Sequence, residues 1–570
     1  MKNIKITIDG KKIKAQEGQT ILEITRKNKI EIPTLCFHPD LEAKAGCRLC
    51  LVEIKGKKGM HTSCSTKVEQ GMEIITDSLK IRRARKTNLE LLFAQHREEC
   101  NDCVWYDKCR LLKLSKEYGL NINRFSDRKK DFPCYQFGPS IVFDTSKCID
   151  CRNCVEVCHN QGVNFFDIKE KNSFFEVVPT KDKKRDCIYC GQCLAHCPVG
   201  AFESVGEYED IEKPFMDKSK VIVVQFAPAI RTSIGEAFGM KPGEVVTDKL
   251  VAAIRKLGVD KVFDVSVGAD FTTMEEAKEL MEKIKKGKGA CLSSCCPSWV
   301  KFVEFNYPEF ISCLATTRSP HIILGALIKT YWAQKEKIDP KKVKVISIMP
   351  CTSKKYEVER DELEIEGVEP VDYVMTTREL VRLLKKKNID LRTIKPEPAD
   401  HPLGIPSGAG VIYGATGGVA ESALRTAYYM ITGKNLKNVN LKDVRGMEGI
   451  KKAEINVKGL KAKIVVVTGT GNAIKILEEL KKNPKAYAAV EVMACPGGCI
   501  GGGGQPLPST PETRKQRAEA LYQIDAKKKL RLAHESPIVQ KVYKEFLNNE
   551  KTIHKICHTR YIKKTREVRI

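Results

Sequence analysis

Two cysteines near the end of the chain are placed so that both could bind one metal centre. Cys495 and Cys499 are separated only by Pro-Gly-Gly, and four consecutive glycines, residues 501–504, follow soon after them. Two thiolates at this short spacing can act together as ligands. Gly497 and Gly498 carry no side chain, so they allow the backbone to approach a bulky cofactor. A flexible glycine linker is the alternative, but linkers do not usually contain a Cys-Pro-Gly-Gly-Cys core.

Two further sets of candidate ligands lie in the first part of the chain. The first is an isolated cysteine, a close pair and a distant fourth: Cys36, Cys47, Cys50 and Cys64. This set favours a 2Fe-2S cluster over a four-cysteine zinc site, which spacing alone does not exclude. The second set has the spacing H-x3-C-x2-C-x5-C and consists of His96, Cys100, Cys103 and Cys109. Three thiolates and an imidazole can hold zinc or a 4Fe-4S cluster, and we favour the cluster.

The strongest local pattern is a tandem repeat of C-x2-C-x2-C-x3-C. This repeat is typical of two-cluster ferredoxins, in which the fourth cysteine of each run binds the other cluster. One 4Fe-4S cluster is therefore predicted on Cys148, Cys151, Cys154 and Cys197. Its twin is predicted on Cys187, Cys190, Cys193 and Cys158. His159 stands where a proline usually follows the first run, which changes the local turn but not the ligand set.

Two more cysteine motifs complete a site around Cys495 and Cys499. Cys296 precedes a proline, and Cys351 follows one directly after an apolar run. Together with the first pair they supply four thiolates from three separated loops, enough for another 4Fe-4S cluster. Cys295 is adjacent to a ligand and cannot share its geometry, so we expect a free thiol that can relay protons. A packed thiol is the alternative for this residue.

The composition restricts the class of protein. The chain has 570 residues, 24 of them cysteine, and its N-terminus lacks the apolar stretch of a signal peptide. With no apolar run long enough to span a membrane, we expect a cytoplasmic protein whose reduced cysteines bind metal. The formal charge of +26 counts those cysteines as neutral. The basic surface favours an acidic electron carrier as partner, and the basic–aromatic pattern of nucleic-acid binding is missing.

The elements that must position these ligands indicate a multidomain α+β and α/β protein. Alternating isoleucines around Asp9-Gly10 predict a hairpin, and a helix over 20–30 follows, as in the β-grasp fold of ferredoxins. Apolar strands at 221–226, 261–265, 343–348 and 463–467 imply a mostly parallel sheet covered on both faces. The predicted domains are a 2Fe-2S β-grasp ferredoxin-like domain (1–78), a small helical domain with one histidine and three cysteine ligands for a 4Fe-4S cluster (79–125), a bacterial two-cluster ferredoxin domain (139–212) and a large α/β domain (213–570).

The motifs around Cys296, Cys351 and Cys499 resemble the three signature motifs of FeFe-hydrogenases. The N-terminal series of ligands resembles the longest modular form of that family, so the resemblance covers essentially the whole chain. It implies that residues 213–570 form a catalytic domain holding an H-cluster. This cofactor is a 4Fe-4S cubane joined through one cysteine sulfur to a di-iron unit with carbon monoxide, cyanide and a bridging azadithiolate. The implied reaction is the reversible reduction of protons to dihydrogen.

The resemblance also implies individual roles at the H-cluster. Cys499 would bridge the cubane and the di-iron unit, and Lys354 would donate a hydrogen bond to a cyanide. Met349 and Met493 would pack against the di-iron unit; ordinary core methionines are the alternative. The other residues expected to contact the cofactor are Ala227, Pro228, Gly497 and Gly498.

A proton path is implied in the same way. Glu276 and Glu279 are three residues apart and share one face of a predicted helix. The pattern alone favours a solvated charged face, whereas the resemblance places both glutamates on a path to Cys295. Lys283 stands where the family commonly has arginine as the outer member of that path.

Three residues depart from the family pattern. Ala315 occupies the place of a serine relay, so Thr316 or a water molecule would have to fill the gap. His321 replaces a familiar amide and either donates near the cluster or faces solvent. Ala229 stands where serine is frequent.

The expected partners follow from the same resemblance. Ferredoxin or a similar acidic carrier would exchange electrons with the H-cluster through the accessory clusters, and maturation proteins would supply the di-iron unit. Because the N-terminal modules also resemble those of respiratory complex I, one alternative is the catalytic subunit of an NAD(P)-linked complex with flavin subunits. The other alternative is a hydrogen-sensing relative that does not catalyse the reaction.

Overall fold

A computed structural model describes most of the chain, including every predicted ligand. The described residues are 2–98, 100, 103–105, 108–127, 132–171, 174–206, 212, 217, 219–286, 289–401, 403–447, 449–457 and 460–568. The domain boundary predicted at residue 213 lies outside them. No helix within these ranges is both long and apolar enough to cross a membrane.

The predicted N-terminal hairpin forms between β1 (Asn3–Ile8) and β2 (Lys11–Gln16). Asp9 and Gly10 have φ values of 47° and 78°, which the tight turn requires. Helix α1 (Ile21–Lys27) is shorter than the predicted span of 20–30, because a capping box starts it and Asn28 ends it. The sheet has the order β2-β1-β5-β3-β4, and its remaining strands are β3 (Leu51–Ile54), β4 (His61–Thr62) and β5 (Glu73–Ile75).

The charged stretch over 79–125 contains two helices, α2 (Leu79–Phe93) and α3 (Arg110–Glu117). Cys100 and Cys103 lie between the two helices in the chain, and both approach Cys109 at the start of α3.

The two cysteine runs of the tandem repeat each lead into a short helix. Helix α4 (Asn153–Asn160) belongs to the first run and α5 (Gln192–Ala195) to the second. A stacked pair of rings, Phe143 and Phe202 at 4.0 Å, lies in the core between them. The strands of this region are β6 (Cys134–Phe137), β7 (Ile141–Asp144), β8 (Phe166–Lys171), β9 (Phe174–Pro179) and β10 (Phe202–Ser204).

The large domain is built on two sheets instead of the single sheet that was predicted. The first is fully parallel, with the order β12-β11-β14-β15. Its strands are β11 (Val221–Phe226), β12 (Lys261–Asp264), β14 (Val343–Met349) and β15 (Tyr373–Thr376). The second has the order β13-β18-β17-β16, and only β16 runs antiparallel. Its strands are β13 (Cys291–Leu292), β16 (Ile450–Val457), β17 (Leu460–Thr468) and β18 (Ala489–Met493).

The strand predicted at 463–467 lies within β17, in the second sheet. Its apolar run identified it as a strand, but its partners are set by long-range packing that periodicity does not report. Helices cover the sheets: α6 (Thr247–Arg255), α7 (Ser266–Lys286), α8 (Pro297–Asn306), α9 (Pro320–Leu327), α10 (Ala333–Lys335), α11 (Ser353–Val358), α12 (Thr377–Lys386), α13 (Gly408–Ile412), α14 (Gly418–Thr432), α15 (Thr470–Lys482), α16 (Pro511–Lys527), α17 (Pro537–Glu545) and α18 (Glu550–Cys557).

One apolar core joins the ferredoxin-like region to the second sheet. Phe143 and Phe165 belong to the same buried cluster as Trp299, Val465 and Val490. Burial of this much apolar surface holds the two regions together. The cysteine runs are consequently held at a fixed position beside the large domain.

Candidate functional site

Loops at the carboxyl ends of both sheets meet at one point. Strands β11 and β14 run parallel, with Phe226 opposite Ile348, so their following loops emerge side by side. Strand β13 pairs in parallel with β18, with Cys291 opposite Ala489. The carboxyl ends of parallel strands are where α/β folds place their sites. This topology brings the three cysteine motifs of the large domain together.

The meeting point is a cavity lined by five thiols. They are Cys295, Cys296, Cys351, Cys495 and Cys499. Six other predicted site residues line the same cavity: Ala227, Pro228, Met349, Met493, Lys354 and Gly498. A Cβ on Gly497, whose φ is 76°, would instead face Ile500 and Met447.

Two glycines of the run after Cys499, Gly502 and Gly503, also pack closely against other loops, and Gly502 lines the cavity. A Cβ on Gly502 would lie 2.1 Å from the carbonyl oxygen of Pro350. A Cβ on Gly503 would lie 2.6 Å from Cα of Gly191 and 2.8 Å from the carbonyl oxygen of Cys190. Both gaps are too small for any side chain. The run thus brings the second cysteine run of the repeat against the cavity wall.

Three buried side chains are joined on one wall of the cavity. Lys354 Nζ donates to Glu357 Oε2 at 2.6 Å and to the carbonyl oxygen of Cys295 at 3.2 Å. His321 Nε2 lies 2.6 Å from the same carboxylate oxygen. Burial opposes ionisation of Glu357, yet the Lys354 ammonium and the His321 hydrogen bond hold the pKa of its carboxyl well below its usual range. Glu357 therefore fixes the cation that lines the cavity.

His321 is buried and does not face solvent, so that alternative is wrong. Only 1% of the residue is exposed. Burial and the nearby Lys354 ammonium lower its pKa to about 4, so the ring is neutral at pH 7. The neutral ring donates from Nε2 to Glu357, and Nδ1 lies 3.1 Å from Ser347 Oγ.

Helix α7 carries the two predicted relay glutamates. Glu276 is buried, and its Oε1 has no hydrogen-bond partner within the described part of the chain. Burial, with repulsion from Glu279 and Glu491, raises its pKa to about 8. The Tyr413 hydroxyl, which lines the cavity, lies 3.5 Å from Glu276 Oε2. At neutral pH this carboxyl holds a proton and retains a free oxygen.

Two threonine hydroxyls take up the space beside Ala315. Thr316 Oγ1 donates to Glu279 Oε1 at 2.9 Å, and Thr317 Oγ1 donates to the same oxygen at 2.7 Å. Burial opposes this charge, but hydrogen bonds from His558 and Thr317 lower the pKa of Glu279. Thr316 therefore contacts the outer glutamate, and its role in place of the missing serine stays a prediction.

The thiols of the N-terminal domain are buried close together. Cys50 Sγ lies 3.3 Å from Cys64 Sγ, and the backbone N–H of Cys47 points to Cys36 Sγ at 3.5 Å. All four residues are buried. The arrangement suits one compact centre with four sulfur ligands.

The histidine of the next set is oriented by the backbone of the ferredoxin-like region. His96 Nδ1 lies 2.8 Å from the carbonyl oxygen of Lys147, a contact that orients the ring. The Trp105 ring N–H donates to the carbonyl oxygen of Cys197 at 3.0 Å. This set is thus held directly against the first predicted 4Fe-4S site.

In the tandem repeat, the last cysteine of each run lies beside the other run. Burial raises the pKa of Cys197 to about 11, and the neighbouring Cys148 adds to the effect. Cys158 in turn raises the pKa of Cys187 by repulsion, after burial and Cys190. These neighbours are the ones expected if the fourth cysteine of each run binds the other cluster. That assignment itself stays a prediction.

Several residues of the site were missed by sequence reasoning. Tyr413 comes from an element with no cysteine motif, and Glu491 lies within β18. The backbone N–H groups of Gly417 and Ala420 both donate to Glu491 at 2.7 Å. No local pattern distinguishes these two residues, because their neighbours are distant in the chain. Glu357 follows Cys351 on the same stretch, and its spacing of three residues from Lys354 is the signal that could have found it.

The chemistry of the cavity fits an iron–sulfur cofactor. Its ligand atoms are soft sulfurs in otherwise apolar walls. Lys354, the one cation among the described lining residues, faces these sulfurs and suits an anionic group. Cys296, Cys351, Cys495 and Cys499 would hold the cubane of an H-cluster there.

Fold and site together define a multicluster iron–sulfur oxidoreductase with its reaction centre buried in a two-sheet α/β domain. Models of five known families match successive segments of the chain. They describe a 2Fe-2S iron-sulfur cluster binding domain (1–78), an NADH-ubiquinone oxidoreductase-G iron-sulfur binding region (85–124), a 4Fe-4S dicluster domain (147–201), an iron only hydrogenase large subunit, C-terminal domain (220–503), and an iron hydrogenase small subunit (511–564).

Known proteins similar to this chain include two relatives that align with it over nearly its whole length. The NADP-reducing hydrogenase subunit HndD of Solidesulfovibrio fructosivorans is 40% identical, over 99% of this chain and 100% of that protein. Iron hydrogenase 1 of Clostridium pasteurianum is 36% identical, over 98% of this chain and 100% of that protein. A solved structure of FeFe-hydrogenase HydA1 from Chlamydomonas reinhardtii is 35% identical, covers 63% of this chain and 99% of its own, and has a TM-score of 0.57. The chain belongs to the FeFe-hydrogenase family and is an iron–sulfur hydrogenase.

Proposed function

We propose that the protein catalyses the reversible reduction of protons to dihydrogen at an H-cluster bound in the five-thiol cavity. The observation that carries the proposal is the convergence of four ligand cysteines and one additional thiol on a single buried cavity. When bound, the H-cluster supplies the metal centre at which protons and electrons combine. Cys296, Cys351, Cys495 and Cys499 would hold it, and the family resemblance gives Cys499 the role of the ligand shared by its two parts.

The protein side chains hold charge and move protons at this centre. Lys354, fixed by Glu357, presents its ammonium group to the anionic cofactor. Cys295 exchanges protons with the reaction centre, and Glu276 and Glu279 connect that thiol with the surface. The apolar contacts of Met349 and Met493 keep water away from the reacting atoms.

Electrons pass through one 2Fe-2S and three accessory 4Fe-4S clusters, on the ligand sets predicted from the sequence. The last accessory cluster before the cavity is the one on Cys158, Cys187, Cys190 and Cys193. Thr352, next to the ligand Cys351, donates to the carbonyl oxygen of Tyr189 at 2.7 Å. The Gln192 amide donates to the carbonyl oxygen of Gly501 at 3.2 Å. These bonds support a short route between that cluster and the cavity.

The first prediction concerns the reaction itself. Anaerobic protein, matured with the di-iron unit and supplied with a strong reductant, is expected to release dihydrogen measurable by gas chromatography. The same sample is expected to contain iron, little zinc, and the infrared bands of bound carbon monoxide and cyanide. Zinc without iron would refute the cluster assignments, and infrared bands without dihydrogen would favour a sensor.

A second arrangement is a catalytic subunit of an NAD(P)-linked complex in the cytoplasm. It is favoured by the 40% identity to an NADP-reducing hydrogenase subunit over 99% of this chain. Co-purification of a flavin-containing subunit from the native source would distinguish it from a hydrogenase served by free ferredoxin. Fractionation of the same cells tests the location.

A basic groove between the N-terminal domain and helices α2 and α3 supports an acidic electron carrier as partner. Its lining has three carboxylates and eight cationic side chains, namely Arg26, Lys29, Arg82, Arg83, Arg85, Lys86, Arg110 and Lys113. Arg26 and Arg110 both donate to Thr34 Oγ1, at 3.2 and 3.0 Å, two residues before the ligand Cys36. An anionic carrier bound there would lie close to the 2Fe-2S site.

The second prediction tests this groove by charge reversal. Lys29 and Arg83 are exposed, and a Lys29→Glu/Arg83→Glu double variant is expected to lower kcat/KM for reduced ferredoxin about tenfold at low salt. Turnover with reduced methyl viologen, a small cationic dye, is expected to stay unchanged. A Lys14→Glu/Lys2→Glu variant on the hairpin side is the matched control. An equal loss in both variants would refute docking in the groove.

A further inference from the structure

The imidazole of His558 joins the outer end of the acidic path. Its Nδ1 lies 2.8 Å from Thr316 Oγ1 and 3.3 Å from Glu279 Oε1. Its Nε2 lies 3.2 Å from Glu275 Oε2. One ring thus contacts two carboxylates and the hydroxyl that also donates to Glu279.

Backbone hydrogen bonds hold the ring in this place. The N–H of Thr559 donates to the carbonyl oxygen of Thr316 at 2.8 Å, and the N–H of Arg318 donates to that of Cys557 at 2.7 Å. Arg318 Nε donates to the carbonyl oxygen of His558 at 2.7 Å. The C-terminal segment is therefore bound to the same loop as the threonines, which fixes the ring relative to helix α7.

The ring and Glu279 are both partly exposed, at the outer end of the buried part of the path. The side chain of His558 is 12% exposed and that of Glu279 is 16% exposed. Glu276, one turn earlier on α7, is 6% exposed. Lys283, the residue expected at the outer end, donates instead to the carbonyl oxygen of Cys313 at 2.8 Å.

We propose that His558 exchanges protons between solvent and Glu279, an inference that rests on the proposed hydrogenase function. During proton reduction the Nδ1–H bond of the imidazolium breaks as an O–H bond forms on Glu279. The ring is left neutral with its Nε2–H directed at Glu275, and it takes its next proton from solvent. Hydrogen oxidation runs the same steps in reverse.

The surrounding charges keep the ring protonated at neutral pH. Burial opposes the charge, but hydrogen bonds to Glu275 and Glu279 raise the pKa of His558 to about 9. Because this pKa lies above the ordinary value of about 6.5, the folded protein binds the proton more tightly than the unfolded chain does. That difference is lost as pH rises through 9. The titratable and charged groups that face the ring or its carboxylate partners are Glu275, Lys278, Glu279, Arg318, Tyr543, His554 and Cys557.

The third prediction tests the relay with matched histidine variants of the matured holoenzyme. His558→Gln keeps hydrogen-bonding capacity but cannot carry a proton. His554→Gln is the control, because that exposed ring lies 5.7 Å from the ring of His558. Dihydrogen release with saturating reduced methyl viologen and H/D exchange are measured from pH 6 to pH 10, together with iron content and infrared bands.

We expect His558→Gln to lower both rates about tenfold below pH 9, with iron content and infrared bands unchanged. The ratio of wild-type to variant rate is expected to approach one above that pH, where the wild-type ring is neutral. His554→Gln is expected to match wild type throughout. A ratio that is independent of pH, or a variant with full rates, would overturn the relay alone. A wild-type holoenzyme without dihydrogen release would overturn the relay together with the proposed function.

Discussion

A Cys499→Ala variant is expected to release no detectable dihydrogen, the largest single effect that the site predicts. Cys499 lines the cavity with three other proposed ligands, and its sulfur is the proposed bridge to the di-iron unit. Loss of a residue that only supports a metal ligand commonly costs about 10–100-fold in affinity or activity. Loss of a bridging ligand is expected to exceed that range, because the di-iron unit then has no covalent link to the protein.

The measurement combines gas chromatography with infrared spectroscopy of the same matured sample. The variant is expected to lack the carbon monoxide and cyanide bands of the intact cofactor and to retain the iron of the accessory clusters. Cys313→Ala is the control, because that thiol is outside the cavity and belongs to no proposed ligand set. Intact bands with substantial turnover in Cys499→Ala would remove Cys499 from the ligand set.

A Cys295→Ala variant is expected to assemble the cofactor and yet turn over about 10²–10⁴-fold more slowly, the range for loss of a positioned proton donor. The thiol lines the cavity, and it packs in the same cluster as Ala269 and Tyr413. Burial raises the pKa of the Cys295 thiol well above its usual range, and the charged form of the nearby Glu276 adds to this by repulsion. Cys295 and Tyr413 thus both line the cavity and lie near this glutamate.

Dihydrogen release and H/D exchange are both expected to fall in Cys295→Ala, while iron content and infrared bands stay at wild-type levels. This combination separates slow proton transfer from failed assembly. Cys291→Ala is a demanding control, because Cys291 is a buried thiol packed against α7 near the same glutamates but not in the cavity lining. Full turnover in Cys295→Ala would refute the relay role of this thiol.

Local spacing was enough to identify the cofactor class and much of the secondary structure. Two thiols separated by two residues are held close by the chain itself, so a repeated C-x2-C-x2-C-x3-C run indicates a cluster before any fold is known. The hairpin at Asp9-Gly10 was predicted for a similar reason, since only a few residue types accept both positive φ values. Strand β11 matches its predicted range of 221–226, because a continuous apolar run between polar turns has few alternatives.

Predictions were weaker wherever the deciding contact joins distant segments. The strand at 463–467 was identified correctly but belongs to a second sheet, because strand partners depend on packing across the whole domain. His321 was left between a donor and a solvated side chain, and burial against Glu357 decided it. Gly502 and Gly503 contact the backbone of other loops, and no spacing in the sequence predicts those contacts.

By itself the sequence predicted iron–sulfur clusters, because ligand type and short spacing are properties of the local chain, and its cysteine motifs resemble those of a hydrogenase centre. Only the tertiary structure brought together the groups proposed at the outer end of the proton path. Thr316 and His558 are 242 residues apart in the chain, yet their side chains lie 2.8 Å apart. Thr316 was singled out from the sequence beside Ala315, but His558 belongs to no local pattern. Their proximity results from the docking of the C-terminal segment on the large domain, which no spacing rule encodes.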